Sequence, residues 1–597
     1  MAKGGVPEEN LRRPSIGNGG NMKKKGIYTV LNTNLEQFNR LHRRDAYFDI
    51  VNKINRGQSL GHAICIVGLR RTGKTILLNH LHINSPEFGV REDEILHITL
   101  SVTIDDRELS RDDFDNRKLT DMTEMRYPSL EELNAFIDDA VSCGKIKCIL
   151  IDEITLCRDL ILGGKGFIDG LVNRGIIVIL AGTESASFNL ADENSLYTRL
   201  MLVDISYIPF GEYCRLKQMH MSTTAQKEQA IRKYIEHGNI LDDAVKIDDR
   251  YIESALGVNI ALSIINSDYA EFMDVEGNIK EFVQSTIKYT KLIGESITLD
   301  AIKSEITRAD LTRALTNENA YRRLVGYHQI DITKTERTQI TVDSVEDAFR
   351  EYDLSFGISQ IPLTKEQLGI IDQLFTKMGL LYDLSLIPED KFDDGSVRAD
   401  DLTILHSLLY MIAGAISNRI RAADIGLSDE DSEALAAKIE STAMGRLLEG
   451  IVTLEFIKGI EKDHELLVCL KNYGNGKFKT ARKCSKHRLY KYNNRIYTQQ
   501  QVLTAEIDIV IPEQDTIRLI EIKKSTNIDE NQVRWLNNDT VINEIKERIS
   551  RTKRITKEVF YLGEERTVGD ICYRNIADVL LKHYHKHFSS EVPVKSY

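Results

Sequence analysis

Short apolar runs alternate with helical patterns along the first 215 residues of the chain. The runs occupy positions 63–67, 95–100, 148–151 and 176–180, with one more near 202–205. Between the second and third runs, apolar residues recur with helical spacing at Leu130, Leu133, Phe136, Ile137, Ala140 and Val141. Strands that alternate with helices predict a parallel sheet with helices on both of its faces.

A glycine-rich segment directly follows the first apolar run. Residues 68–75, GLRRTGKT, fit the phosphate-loop pattern G-x-x-x-x-G-K-[ST]. Two glycines let the backbone curl so that its N–H groups point at phosphate oxygens, at the positive end of the next helix. Lys74 would reach the β- and γ-phosphates, and the Thr75 hydroxyl would bind Mg²⁺. The predicted ATP-binding residues are Gly68, Arg71, Thr72, Gly73, Lys74, Thr75 and Thr183.

Two carboxylates follow the apolar run at 148–151. Beside a phosphate loop, Asp152 would hold the water shell of Mg²⁺, and Glu153 would orient or deprotonate the water that attacks the γ-phosphate. The next strand leads to Thr183 and Glu184, one of which would lie between the two motifs and sense the γ-phosphate. A simple strand-to-loop turn is the alternative for that segment.

A second group of chemically suited residues lies near the C-terminus. Segments 507–511 and 517–522 flank the turn PEQD and are typical of a hairpin. Glu521 and Lys523 are two apart on a strand and point to one face, which Asp508 can reach from the partner strand. The carboxylates could hold Mg²⁺ or Mn²⁺, and Lys523 could activate the attacking water or stabilise charge on a scissile phosphate.

Composition narrows the class of protein. A chain of 597 residues is long enough for about three or four domains. The net charge of −12 argues against a generally basic nucleic-acid-binding surface, so such contacts need a local patch. Eight scattered cysteines without a C-x-x-C pair predict buried thiols in a reducing compartment. The sequence has neither a secretion signal nor an apolar run of about 18 residues, which predicts a cytoplasmic protein without membrane contact.

One local patch is strongly basic. Residues 471–495 include nine Lys or Arg and no Asp or Glu, with tyrosines and a phenylalanine interleaved. Such a segment suits a phosphate backbone and stacked bases, whereas a solvated loop with a few snorkelling lysines is the alternative. The residues predicted to bind nucleic acid are Lys477, Lys479, Arg482, Lys483, Lys486, Arg488, Lys491 and Arg495.

The N-terminal motifs together resemble a known family. GLRRTGKT, LIDEI, LAGTES and the arginine ahead of VDISYIPFGEY are similar to the AAA-type ATPases of bacteria and archaea, of the additional-strand class. The resemblance covers residues 46–215. It implies that Arg199 acts on the γ-phosphate, either in its own chain or from a neighbouring subunit of a homo-oligomer.

The C-terminal motifs resemble the PD-(D/E)xK nuclease superfamily. Asp508, Glu521 and Lys523 have the spacing D-x₁₂-E-x-K, and GRLLEGIVTLEF, EIDIVI and EIKKS are similar to a nuclease-like domain often fused to these ATPases. This resemblance implies Glu449 as the acid of the preceding helix, with Glu455 as the alternative. The implied metal ligands are Glu449, Asp508 and Glu521, and the implied catalytic residues are Asp508, Glu521 and Lys523.

We therefore expect an α/β chain in four parts. These are a flexible tail at 1–45, a P-loop ATPase domain at 46–215, a helical lid or winged-helix region at 216–440, and a restriction-endonuclease-like α/β domain at 441–597. The first hypothesis is an ATP-dependent nuclease acting on DNA in preference to RNA, in defence or on mobile elements, with ATP and Mg²⁺ or Mn²⁺. The second is a non-catalytic ATP switch that binds nucleic acid or a protein. The third is a signalling ATPase whose helical middle recruits partners.

Overall fold

The computed structural model describes much of both ends of the chain, which form an N-terminal domain (residues 24–238) and a C-terminal domain (residues 429–587). The described residues are 24–25, 28–30, 38, 40–68, 72–101, 103–104, 107–108, 127–142, 144–157, 159–182, 199–238, 381–382, 385–387, 402–403, 406–422, 429–475, 490–497 and 502–587.

A mixed sheet forms the centre of the N-terminal domain. The strands are β1 (Lys24–Lys25), β2 (Tyr28–Val30), β3 (Ala63–Val67), β4 (Ile95–Leu100), β5 (Thr103–Ile104), β6 (Arg107–Glu108), β7 (Cys148–Asp152), β8 (Ile177–Gly182) and β9 (Leu200–Asp204). β5 pairs with β6, and the others form one sheet in the order β1-β2-β4-β7-β8-β3-β9. From β4 to β9 all neighbours are parallel, which confirms the predicted parallel sheet, and β1 and β2 add an antiparallel edge.

The order of the central strands decides which loops meet. β8 lies between β3, which leads into the phosphate-loop motif, and β7, which ends at Asp152. Because these strands are parallel, their carboxyl ends share one edge of the sheet, where ligands bind in open α/β folds.

Helices cover both faces of this sheet, as the alternating pattern predicted. They are α1 (Asp45–Asn55), α2 (Lys74–Ile83), α3 (Leu130–Ser142), α4 (Leu160–Val172), α5 (Phe210–Leu216) and α6 (Thr224–His237). One hydrophobic core includes Leu133 of α3 and Leu171 of α4, and a second includes Ile50 of α1 and Leu77 of α2. Every residue of β3 and β7 is buried, because both faces of the sheet are covered.

The predicted flexible tail at residues 1–45 needs correction. Thr29 of β2 pairs with Thr99 of β4, and Arg44 is only 4% exposed. β2 satisfies the backbone N–H and C=O groups that the edge of β4 would otherwise leave unpaired. These residues therefore belong to the N-terminal domain.

The short strands β10 (Leu381–Tyr382), β11 (Ser385–Ile387) and β12 (Leu402–Thr403) and the helix α7 (His406–Ala422) precede the C-terminal domain. That domain begins with the helix α8 (Asp429–Asn475). The predicted lid at 216–440 is largely helical where the structure describes it. Most of the segment that suggested a winged helix lies outside the described residues. The boundary predicted at residue 441 falls inside the continuous helix α8, so the chain passes between the two regions without a linker.

A second mixed sheet forms the C-terminal domain. It contains β11 and six further strands, β13 (Tyr490–Tyr497), β14 (Val502–Pro512), β15 (Thr516–Ile522), β16 (Arg554–Tyr561), β17 (Arg566–Val568) and β18 (Ile571–Asn575). Their order is β11-β13-β14-β15-β16-β18-β17. β14 and β15 form the predicted antiparallel hairpin, and β15, β16 and β18 are parallel. The helices α9 (Asp539–Ile549) and α10 (Ile576–His587) complete the domain.

The two domains are in contact through α10. This helix packs against α8 and against α5 and α6 of the N-terminal domain. Lys227 of α6 and Asp578 of α10 form an ion pair of 2.6 Å across the contact. Among the helices that the structure describes, none combines the length and the apolar character that a membrane span requires.

Candidate functional site

The phosphate-loop motif has the backbone geometry that its glycines predict. Gly73 adopts the left-handed conformation, with φ 94° and ψ 18°, and α2 begins at the next residue without a side-chain cap. A β-carbon added to Gly68 would lie 3.0 Å from Thr72 Oγ1 and from Ile205 Cγ1. Glycine is therefore favoured at residue 73 by conformation and at residue 68 by space.

Lys74 and Thr75 connect this loop with its surroundings. The Lys74 ammonium donates to the carbonyl oxygen of Gly68 at 2.8 Å. The Thr75 hydroxyl donates to Asp152 Oδ2, at the end of β7, at 2.7 Å. The ammonium can exchange the carbonyl for phosphate oxygens, which form stronger, charge-assisted hydrogen bonds.

Asp152 is the buried acid of this site. Its Oδ1 accepts the backbone N–H of Glu153 at 3.0 Å. Burial, and then the charge of Glu153, raises the pKa of Asp152 to about 6, against the hydrogen bond from Thr75 and the charge of Lys74. The Thr75 hydroxyl and the Asp152 carboxylate are hard oxygen donors side by side, and this donor set fits Mg²⁺.

Glu153 has a backbone conformation that few residues other than glycine adopt. Its φ is 56° and its ψ is 37°, in the left-handed region. In a non-glycine residue this conformation costs about 1–3 kcal/mol and is concentrated at functional sites. The strained residue is the one that the sequence analysis predicted to be the base, although no local sequence pattern predicted the strain.

Arg44 and Glu212 were not among the predicted site residues. The Arg44 guanidinium donates to the carbonyl oxygen of Thr72 in the phosphate loop, and to the Glu212 carboxylate at 2.6 and 3.3 Å. Glu212 is 2% exposed. The pair lies 168 residues apart in sequence, so no periodic pattern connects them. The available signal was that Glu212 belongs to the segment VDISYIPFGEY.

In the C-terminal domain, Asp508, Glu521 and Lys523 converge at the end of the β14–β15 hairpin. Lys523 Nζ lies 2.5 Å from Glu521 Oε2 and 3.6 Å from Asp508 Oδ2. Asp508 Oδ2 also accepts the N–H of Ile522 at 2.7 Å. Both carboxylates are buried. The structure thus brings together the three residues whose spacing placed them on one face.

Glu449 of α8 lies at the same cluster. Burial, and then the charge of Asp508, raises the pKa of Glu449 to about 8, against the charges of Lys491 and Lys523. Burial and the charge of Asp508 also raise the pKa of Glu521 well above its ordinary value. Carboxylates that share a buried site in this way favour either protonation or a bound cation.

The cluster offers oxygen ligands without a preformed metal cage. Glu521 Oε1 is buried and has no hydrogen-bond partner among the described atoms. That oxygen fits a cation. The Lys523 ammonium, however, lies close to both carboxylates, and nowhere in the described part of the chain do three His, Cys, Asp or Glu side chains form a metal-binding group.

Glu455 lies elsewhere, at the contact between the two domains. Its Oε2 accepts hydrogen bonds from the Tyr207 hydroxyl and from the N–H of Phe210, at 3.4 Å. Of the two glutamates proposed as the helix acid, the structure therefore places Glu449, and not Glu455, beside Asp508.

Comparison with known families concerns the N-terminal domain. Residues 61–214 match the family model described as an AAA domain. This part of the chain resembles AAA domains. The match supports an AAA-type ATPase function for the N-terminal domain. The C-terminal domain lies outside the matched residues, and a search of curated proteins finds no match to the chain.

Solved structures similar to this chain are distant. PCH-2 of C. elegans is 11% identical with a TM-score of 0.23, covering 42% of this chain and 69% of that chain. AMPPCP-bound DnaA from Aquifex aeolicus is 14% identical with a TM-score of 0.19, and the match covers 55% of this chain and 93% of that chain. The S. cerevisiae Hsp104-ADP complex is 14% identical with a TM-score of 0.23, and the match covers 66% of this chain and 55% of that chain. TM-scores this low carry no argument, so the AAA resemblance rests on the family match and the site geometry.

Arg199 lies at the amino ends of the parallel strands, and the phosphate loop lies at their carboxyl ends. Its carbonyl oxygen accepts the N–H of Ala63 at the start of β3, at 2.8 Å, whereas the loop follows the end of β3. A five-residue strand separates its two ends by about 13 Å. The Arg199 side chain pairs with Asp169. Action on the γ-phosphate of the same chain does not fit this position, and action from a neighbouring subunit stays a prediction.

Part of the predicted nucleic-acid surface is also corrected. Lys491 is 8% exposed, and its ammonium pairs with Glu506 at 2.6 Å. The buried Tyr492 donates its hydroxyl to Glu544 at 2.7 Å. Both residues belong to β13 and their side chains are buried in the domain, so neither can contact a phosphate backbone. The residues Arg71, Thr183, Glu184, Lys477, Lys479, Arg482, Lys483, Lys486 and Arg488, and the side chain of Arg495, lie outside what the structure describes.

Proposed function

We propose that this chain is an ATPase that controls a metal-dependent nuclease acting on DNA, in defence or on mobile elements. The observation that carries the ATPase half is the hydrogen bond from Thr75 to Asp152, because it joins the phosphate loop to the acid-bearing strand. The nuclease half is supported by the convergence of Asp508, Glu521 and Lys523.

In the N-terminal domain, four residues would each have a separate task in ATP hydrolysis. Lys74 neutralises charge on the β- and γ-phosphates of ATP. Thr75 and Asp152 would hold Mg²⁺, which would supply positive charge to the phosphate oxygens. Glu153 orients the attacking water and accepts its proton.

In the C-terminal domain, Asp508 and Glu521 would hold a divalent cation, with Glu449 as a further ligand. Such an ion would supply Lewis-acid chemistry at a phosphate oxygen. The Lys523 ammonium, close to both carboxylates, can stabilise the charge that develops on the scissile phosphate. The basic segment at 471–495 would hold the DNA backbone through those lysines and arginines other than Lys491.

One observation favours the non-catalytic alternative, in which ATP controls binding of nucleic acid or a protein. Lys523 neutralises the carboxylates at 2.5 and 3.6 Å, as a structural ion pair would. A site that is already neutralised has less need of a metal. Cleavage assays separate the two functions.

The test uses the full chain with supercoiled plasmid and single-stranded DNA, with Mg²⁺ or Mn²⁺ and with or without ATP. Lys74→Ala and Lys523→Ala are compared with two matched lysine controls. These are the exposed Lys165→Ala on α4 and Lys553→Ala, whose ammonium donates to the carbonyl oxygen of Glu513 in the β14–β15 turn. ATP hydrolysis and binding of a fluorescent ATP analogue are measured in the same preparations.

The expected result is cleavage that disappears in Lys523→Ala, changes its ATP dependence in Lys74→Ala and persists in both controls. ATP hydrolysis that persists while no condition gives cleavage would support the switch instead. If the wild-type chain neither binds nor hydrolyses ATP, the ATPase proposal is wrong as well.

A further inference from the structure

A buried arginine contacts the phosphate loop through a backbone carbonyl. Arg44 precedes α1, and its guanidinium donates to the carbonyl oxygen of Thr72, the residue before Gly73. Glu212 neutralises the guanidinium at 2.6 Å. Removing a partner from a buried charge pair is costly, so this contact is held firmly in place.

The direction of the Thr72 carbonyl fixes an N–H group of the loop. A peptide unit is planar and trans, so its C=O and the N–H of the next residue point in opposite directions. When Arg44 holds the carbonyl of Thr72, the N–H of Gly73 points away from Arg44. In a phosphate loop, backbone N–H groups of this kind bind phosphate oxygens. Arg44 is thus placed to preorganise the loop.

The same contacts continue to the last helix of the C-terminal domain. Glu212 Oε1 also accepts the backbone N–H of Asp45, at 2.9 Å. The Asp45 carboxylate accepts hydrogen bonds from Arg215 at 2.7 Å and from the hydroxyl of Tyr584, on α10, at 2.6 Å. We name Arg44, Asp45, Glu212, Arg215 and Tyr584 the Arg44 cluster.

The packing at Gly211 shows how closely α10 fits this cluster. A β-carbon at Gly211, the residue before Glu212, would overlap the ring of Tyr584. The absence of a side chain at Gly211 lets the Tyr584 ring lie directly on α5. The position of Tyr584 is therefore set both by a hydrogen bond and by close contact.

We propose that Arg44 is a positioning residue for the phosphate loop, and that the Arg44 cluster couples nucleotide binding to the docking of α10. The proposal rests on the proposed ATP binding and adds the route by which nucleotide and C-terminal domain affect each other. Such coupling is reciprocal. A change at Tyr584 alters nucleotide affinity, and bound nucleotide stabilises α10 against local opening.

The main test is Tyr584→Phe, which removes one hydroxyl from a residue outside the AAA-type domain. The affinity for a fluorescent ATP analogue is expected to fall about fivefold or more, the lower end of measured couplings. The matched control is Tyr561→Phe, whose hydroxyl donates to the carbonyl of Glu564 within the C-terminal domain. Its affinity is expected to equal that of the wild type.

The second measurement is amide hydrogen exchange in residues 576–587 with and without the ATP analogue. Nucleotide is expected to slow exchange there in the wild type and in Tyr561→Phe, and to have little effect in Tyr584→Phe and Gly211→Ala. A merely structural role of Tyr584 would lower protection without changing its response to nucleotide. Arg44→Lys, which keeps the charge but loses the forked geometry, is expected to weaken nucleotide binding.

The outcomes separate the two proposals. If the wild type binds the analogue but Tyr584→Phe binds it equally well, with an equal exchange response, the coupling proposal is overturned and ATP binding stands. If the wild type does not bind the analogue, the proposed ATP binding itself fails.

Discussion

The hydroxyl of Tyr207, in the N-terminal domain, donates a hydrogen bond to the carboxyl group of Glu455, on α8. Both side chains are buried. The ring nitrogen of His583, on α10, donates to the backbone carbonyl of Glu455 at 3.0 Å. An acidic residue is thus enclosed at the point where three helices and two domains meet, and this location has consequences for pH dependence.

Glu455→Gln is expected to change the pH dependence of stability. Burial is the main cause that raises the pKa of Glu455 from 4.5 to about 8. The folded state therefore keeps a proton that the unfolded chain releases, and stability is lost as pH rises from about 4.5 towards 8. The glutamine variant lacks this loss, so its thermal midpoint relative to the wild type should be higher at pH 8 than at pH 5. Glu430→Gln, at an exposed position of the same helix, is the control, and an equal difference at both pH values would contradict the prediction.

A buried histidine pair should give the opposite dependence. His82 Nδ1 and His97 Nδ1 lie 3.1 Å apart, and burial, followed by the charge of His82, lowers the pKa of His97 to about 3. Burial also lowers the pKa of His82. Their contribution to stability is present above about pH 6.5 and is lost as pH falls towards the folded pKa. In His97→Asn, thermal denaturation between pH 7 and pH 4 should show a smaller fall in midpoint. The exposed His220→Asn should fall as the wild type does.

Glu153→Gly should separate catalysis from stability. Glu153 has a φ of 56°. This conformation is strained in residues that carry a β-carbon and is unstrained in glycine. ATP hydrolysis should fall about 10²- to 10⁴-fold in both Glu153→Gly and Glu153→Ala, because both lose the proposed base. The free energy of unfolding should be about 1 kcal/mol higher for glycine than for alanine. If alanine is the more stable variant in denaturant titrations, the left-handed conformation at residue 153 is not maintained in solution.

Lys523 and Glu521 should respond differently to a divalent cation. Lys523→Ala leaves two buried carboxylates without their ammonium partner, and a loss of about 3–5 kcal/mol in stability is expected. Mn²⁺ should restore part of this stability, so it should raise the thermal midpoint of Lys523→Ala more than that of the wild type. Glu521→Gln loses a proposed ligand and should show little response to Mn²⁺. Lys553→Ala should behave as the wild type, and a similar Mn²⁺ response in all four proteins would argue against a cation at this cluster.

The sequence by itself determined the elements that depend on neighbouring residues. The apolar runs at 63–67 and 148–151 have the length of buried strands, and Gly68 and Gly73 allow the phosphate loop that follows the first of them. The spacing of Asp508, Glu521 and Lys523 fixed their common face, because side chains alternate along a strand and a hairpin sets the register of its partner. These features are local, and the structure has them at the expected positions.

The tertiary structure decided what depends on packing between distant segments. The contact of Arg44 with Glu212, the position of Glu455 at the domain contact and the burial of Lys491 each require residues far apart in sequence to meet. A basic or acidic residue has the same local pattern whether it faces solvent or a buried partner, and only the three-dimensional packing sets its desolvation and its pKa. For the same reason, the sequence motif suggested a role for Arg199 at the nucleotide, whereas the strand register places Arg199 at the amino ends of the strands, away from the phosphate loop.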